Sequence, residues 1–137
     1  MANLRIGKAF ADENIISILN KIKPPYNVNG YSQSVAIEAL QNLKEKRETI
    51  QKIIQEREKV RFVLNTNPLV EKVYPSNANF LLAKIKGDAT EIYKELIKRG
   101  IVVRNRSNVL LCDDCLRFSI GTPDENDNLL LTLKAMA

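Results

Sequence analysis

What most limits the folds open to this chain is a change of hydrophobic period partway along it. Val35, Ala36, Ala39, Leu40, Leu43, Ile50, Ile53, Ile54, Val60 and Val63 recur at helical spacing through a charged run that ends at Asn67-Pro68. A residue before proline avoids the helical region, so this stripe predicts one long helix, or two joined near Leu43, ending before Pro68. The charges alternate in sign and read as its solvated face. Beyond Pro68 the period becomes two. In CLRFSIG, Leu116, Phe118 and Ile120 share one face of a strand while Cys115, Arg117, Ser119 and Gly121 share the other.

The same reading divides the rest of the chain. NANFLLAKI (77–85) and IVVRNR (101–106) predict two more strands. Between them Asp88, with Glu91 three residues on, caps a helix that Gly100 closes. Thr122, Pro123 and Glu125 occupy the N-cap, N1 and N3 positions of a last helix, whose LLLTLKAM supplies an apolar face. Upstream, LRIGKAFA (4–11) reads as a strand, and Asp12 caps ENIISILNKI, a short amphipathic helix stopped by Pro24-Pro25. The order is helices first, then strand, helix, strand, strand, helix. It predicts an α/β chain of the α+β type, a small sheet covered by helices.

Composition narrows the chemistry. The 137 residues, 45% of them hydrophobic, can form one core without disulfides or metals. The net charge of +5 comes from 21 basic and 16 acidic residues that are well mixed, so no nucleic-acid partner is expected. No apolar run approaches the roughly 18 residues of a membrane span, and no apolar leader follows Met1, so a cytoplasmic protein without a membrane partner is expected. With no histidine in the chain, the commonest general base and metal ligand is missing. Cys112 and Cys115 form a C-x-x-C spacing without the second pair that a structural zinc needs. The second cysteine also leads into a strand rather than a helix N-terminus, against a redox pair. A polar hairpin tip is the expectation, and a metal is not.

The strand arginines are the remaining candidates. In IVVRNR, Val102, Arg104 and Arg106 share the face opposite Ile101 and Val103. If a hairpin sets residue 106 opposite 115, then Arg104 lies opposite Arg117. Two guanidiniums at cross-strand distance repel by about a few tenths of a kcal/mol unless an anion lies between them. Forked donors facing one point suit a phosphate or a carboxylate. Alternatively each meets solvent or a carboxylate such as Asp113 or Glu125. Arg5, two residues ahead of Gly7, reads by local pattern as a surface charge.

In this order LRIGKAFA, PPYNVNGYSQ followed by AIEAL, SNANFLLAKI, DATEIYKELIKRGIVVRNRS and CLRFSIGTPDENDNLLLTL resemble the C-terminal portion of histidinol-phosphate aminotransferases, over essentially the whole chain. The resemblance implies the small C-terminal domain of fold-type I pyridoxal-phosphate transferases, with the aspartate-aminotransferase fold. The activity it implies exchanges an amino group between L-histidinol phosphate and 2-oxoglutarate, in histidine biosynthesis, by a cytoplasmic homodimer. It assigns Arg5 to the phosphate of pyridoxal phosphate. Arg104 and Arg117 fall to the phosphate of the substrate, with Arg117 also suited to a glutamate carboxylate. The family's Schiff-base lysine would fall ahead of Met1, and Lys8 does not replace it. The expectation is therefore a fragment with no catalytic residue of its own, inert alone and binding no cofactor alone. Residues 1–30 would be a remnant strand and helix of the large cofactor-binding domain, and 31–137 a long connecting helix and the small domain. Within the fold, a threonine-phosphate decarboxylase or an aromatic aminotransferase is the alternative. From another class, the alternative is a free-standing anion- or RNA-binding module, although only Phe80 and Phe118 stand clearly within strands.

Overall fold

Asp12 starts the first helix as its sequence suggests, its carboxylate accepting the Asn14 N–H at 2.9 Å. Helix α1 (Glu13–Ile22) ends where Lys23 turns extended ahead of Pro24-Pro25. Asn29 caps helix α2 (Gly30–Gln41) by accepting the Ser32 N–H at 2.8 Å. Helix α3 (Leu43–Thr66) stops just before Asn67-Pro68. The computed structural model describes residues 4–41 and 43–137, and the chain divides into two compact units, Met1–Arg47 and Glu48–Ala137.

The LRIGKAFA segment is not a strand. Leu4 and Arg5 lie in a turn with Arg5 at φ 55°, and residues 6–12 have no regular structure. Backbone groups of a strand need a ladder partner, and every strand among the described residues lies between residues 70 and 119. Among its described residues the first unit therefore offers no strand to pair with. Its apolar residues are also uncovered: Ile15, Ile18, Leu19 and Ile22 are 41–72% exposed, and Ser32 is its only buried residue among those described.

The second unit is built on a four-stranded antiparallel sheet in which the segments run, edge to edge, 70–73, 80–85, 115–119 and 104–105. Strands β2 (Phe80–Ile85) and β4 (Cys115–Ser119) fall within the predicted segments. Strand β1 (Val70–Val73) was not predicted, since VEKV has no clear period; it forms by pairing with β2 across an irregularity between Val70 and Lys72. Strand β3 is shorter than predicted, Arg104–Asn105 only. Residues 101–103 make no ladder, because the Ile101 N–H is spent on Leu96 O at 2.9 Å. That bond, with Gly100 N–H to Ile97 O and Gly100 at φ 78°, closes helix α4 (Ala89–Lys98) in a Schellman motif. At its start the Asp88 carboxylate accepts the Thr90 N–H at 2.7 Å. Helix α5 (Pro123–Ala135) carries the predicted capping box of Thr122 and Glu125.

The sheet buries one parity of its residues. Leu81, Ala83, Ile85, Leu116 and Phe118 form one core cluster with Val60 and Leu64 of α3, Leu96 of α4, and Leu129 and Leu133 of α5. Three helices thus cover one sheet face, which leaves the other face free to present side chains.

Candidate functional site

The other parity holds partly exposed Phe80, Leu82 and Lys84 on β2, Arg117 and Ser119 on β4 after buried Cys115, and Arg104 on β3. Arg104 pairs directly opposite Arg117, the register that strand parity anticipated. Leu82 flanks Arg117 on its other side. The two arginines differ in setting. Arg104 is exposed, whereas Arg117 is partly buried with its Cζ 5.1 Å from the centroid of the Phe80 ring. Its Nε is buried and has no hydrogen-bond partner.

Neither guanidinium is paired with a carboxylate among the described residues. Glu125, one candidate counter-charge, is committed to its own helix, accepting the Thr122 N–H at 2.7 Å and its hydroxyl at 2.9 Å. Those bonds, the backbone one foremost, hold its carboxyl below the usual range. Two like charges directly opposite, paired with no carboxylate among the described residues, are an arrangement that a phosphate or carboxylate would relieve.

Long-range hydrogen bonds fix both ends of this face. Ahead of β2, Arg57 Nη1 donates to Ala78 O at 3.0 Å and Arg61 Nη2 to Ser76 O at 2.9 Å. The Ser76 hydroxyl donates in turn to Phe80 O at 2.7 Å. The charged face of α3 is therefore not wholly solvated, as its sequence suggested; Arg57 is buried, because loop carbonyls outside the ladder still need donors. After β4, buried Asn126 accepts the Gly121 N–H at 2.9 Å and donates to Gly121 O and to Glu56 Oε2, the latter at 2.7 Å. None of these partners is legible from spacing, since Asn126 and Glu56 lie far apart in sequence. Phe80 is the missed member of the site itself. The period of NANFLLAKI sets it on one face with Leu82, but only the β2–β4 register brings that face beside Arg117.

The cysteines stand apart from this arrangement. Cys115 opens β4 and is buried, and burial first, then the neighbouring Cys112, pushes its thiol above the ordinary value. Cys112 lies in the connecting tip, where Leu111 and Asp114 take positive φ of 63° and 53°. No group of three or more His, Cys, Asp or Glu that could hold a metal occurs among the described residues. Likewise, no described helix is long and apolar enough to cross a membrane. Arg5 is exposed, in the first unit.

Comparison with known proteins bears on this geometry. A histidinol-phosphate aminotransferase of Flavobacterium psychrophilum is 52% identical over 99% of this chain, and one of Flavobacterium johnsoniae is 48% identical over 99%. The crystal structure of the histidinol-phosphate aminotransferase from Clostridium acetobutylicum superposes with a TM-score of 0.79 at 27% identity, over 91% of this chain and 38% of its own. The chain spans about two fifths of the length of these curated relatives, 39% in each case. The family model for aminotransferase class I and II matches residues 1–133, nearly the whole chain, and the antiparallel sheet with its helical cover is shared with a solved member. The chain belongs to the class I and II aminotransferase family.

Proposed function

We propose that this chain forms the substrate-anion-binding part of a histidinol-phosphate aminotransferase, which exchanges an amino group between L-histidinol phosphate and 2-oxoglutarate. The observation that carries this reading is the cross-strand pair Arg104 and Arg117, two guanidiniums on one sheet face with no carboxylate partner among the described residues. Histidinol phosphate and glutamate both present an oxyanion to such a pair. Arg117, held and partly desolvated, gives the oriented charge-assisted contact, and exposed Arg104 adds a second donor set that follows the ligand. Identity near 50% to relatives so named supports this substrate over threonine phosphate or an aromatic amino acid.

When bound, pyridoxal phosphate supplies the amino-group chemistry of this class. Of the residues described, Arg5 is the one assigned to its phosphate. It is an exposed guanidinium on a turn, and none of the buried unpartnered polar atoms, on Arg61, Ser107 and Arg117, belongs to its unit. These residues alone do not make a cofactor cradle. In this reading residues 1–30 belong with the large cofactor-binding domain, 31–137 comprise the connecting helix and small domain, and the whole enzyme is a cytoplasmic homodimer.

The test is kinetic. In the full-length enzyme, Arg117→Ala should lower kcat/KM for histidinol phosphate by roughly 10- to 100-fold, the loss of one charge-assisted contact. An unchanged kcat/KM would remove Arg117 from substrate binding.

A further inference from the structure

We infer that Phe80 is a positioning residue for the anion site, its ring fixing the Arg117 guanidinium in place without neutralising it. The inference rests on the reading of Arg117 as an anion ligand and adds the group that orients it. An arginine on a sheet face is commonly steadied by a carboxylate, which would cancel the charge and compete with any incoming anion. None is paired with Arg117 among the described residues. Its Cζ lies instead 5.1 Å from the Phe80 centroid, and its Nε is buried without a partner. A ring face attracts a cation through its quadrupole but accepts no conventional hydrogen bond, so this contact takes up none of the guanidinium N–H donors.

The backbone that carries the ring is itself held. Phe80 O accepts the Ser76 hydroxyl at 2.7 Å, and Ser76 O and Ala78 O accept from Arg61 and Arg57 of α3. Phe80 and Ser119 are opposed in the β2–β4 register, two pairs along from Leu82 and Arg117. The ring and the guanidinium are thus diagonal neighbours across two strands, a distance that long and aromatic side chains span.

The experiment titrates the 137-residue chain with inorganic phosphate, following the Arg117 Nε–H and side-chain proton resonances by NMR. In the unsubstituted chain, ring-current-shifted Arg117 protons and a saturable response at its Nε–H are expected. Phe80→Leu should abolish the ring-current shift and weaken phosphate binding by roughly five- to thirty-fold, the range of a partly desolvated cation–π contact. Phe80→Tyr should restore both. Backbone amide shifts of β2 and β4 report folding in each variant, and Phe80→Met replaces the leucine variant if that one melts the sheet. Loss of binding in Arg117→Ala with unchanged binding in Phe80→Leu would overturn the positioning role alone. Binding unaffected by Arg117→Ala, or no saturable response at all, would overturn the anion site and the inference with it.

Discussion

The two faces of the sheet in the second unit are made from the same strands and behave oppositely. Leu81, Ala83, Ile85, Leu116 and Phe118 are at most 1% exposed, while Phe80, Leu82 and Arg117, alternating with them in sequence, stay partly exposed and Arg104 is open to solvent. The buried face supplies the stability of the strands. The other face can then carry an arginine pair that contributes little or nothing to folding. Stability and anion binding should therefore separate residue by residue along a single strand.

The largest effect that would break this contrast lies on the buried side. Phe118→Ala should cost about 3–5 kcal/mol of stability in denaturant titration, as for loss of a fully buried aromatic. A cost below about 1 kcal/mol would mean that the helices do not pack on this face as described. One residue earlier, Arg117→Ala should move the denaturation midpoint far less, since the ring contact it removes is offset by loss of a like-charge contact and of a buried unpartnered N–H. A midpoint lowered as much as by Phe118→Ala would make Arg117 a structural residue. Thr122→Ala should cost about 1 kcal/mol by unmaking the capping box, less than Phe118→Ala, with Arg117 resonances unmoved.

The smallest expected effect is pH-dependent. The Glu125 carboxyl is lowered by its bonds to Thr122, so it contributes stability that is present above the ordinary glutamate pKa of about 4.3 and lost as pH falls through the depressed value. Thermal melts between neutral and acid pH should show this slope, and Glu125→Gln should flatten it. An unaltered slope would assign the acid sensitivity elsewhere, for example to Glu95, which Arg99 and Lys98 hold low in the same way.

The two compact units differ in how well their sequences foretold them. Caps at Asp12, Asp88 and Thr122 were legible because each is a contact between residues two or three apart. The opposition of Arg104 and Arg117 was legible from strand parity once a hairpin register was assumed. LRIGKAFA has the composition of a strand yet lacks a ladder partner in its own unit, and VEKV lacks the pattern yet gains one in β2. Strand identity at these two sites was decided by pairing rather than by composition.

By itself, then, the sequence determined the helices, their ends, the alternating faces of β2 and β4, and which arginines share a face. Each depends on neighbours close along the chain, where period and capping chemistry leave few alternatives. Only the tertiary structure decided that Phe80 lies beside Arg117, that Arg57 and Arg61 hold the loop before β2, and that Asn126 ties Gly121 to Glu56. Those partners are brought together by strand register and helix packing, and local spacing carries no record of either.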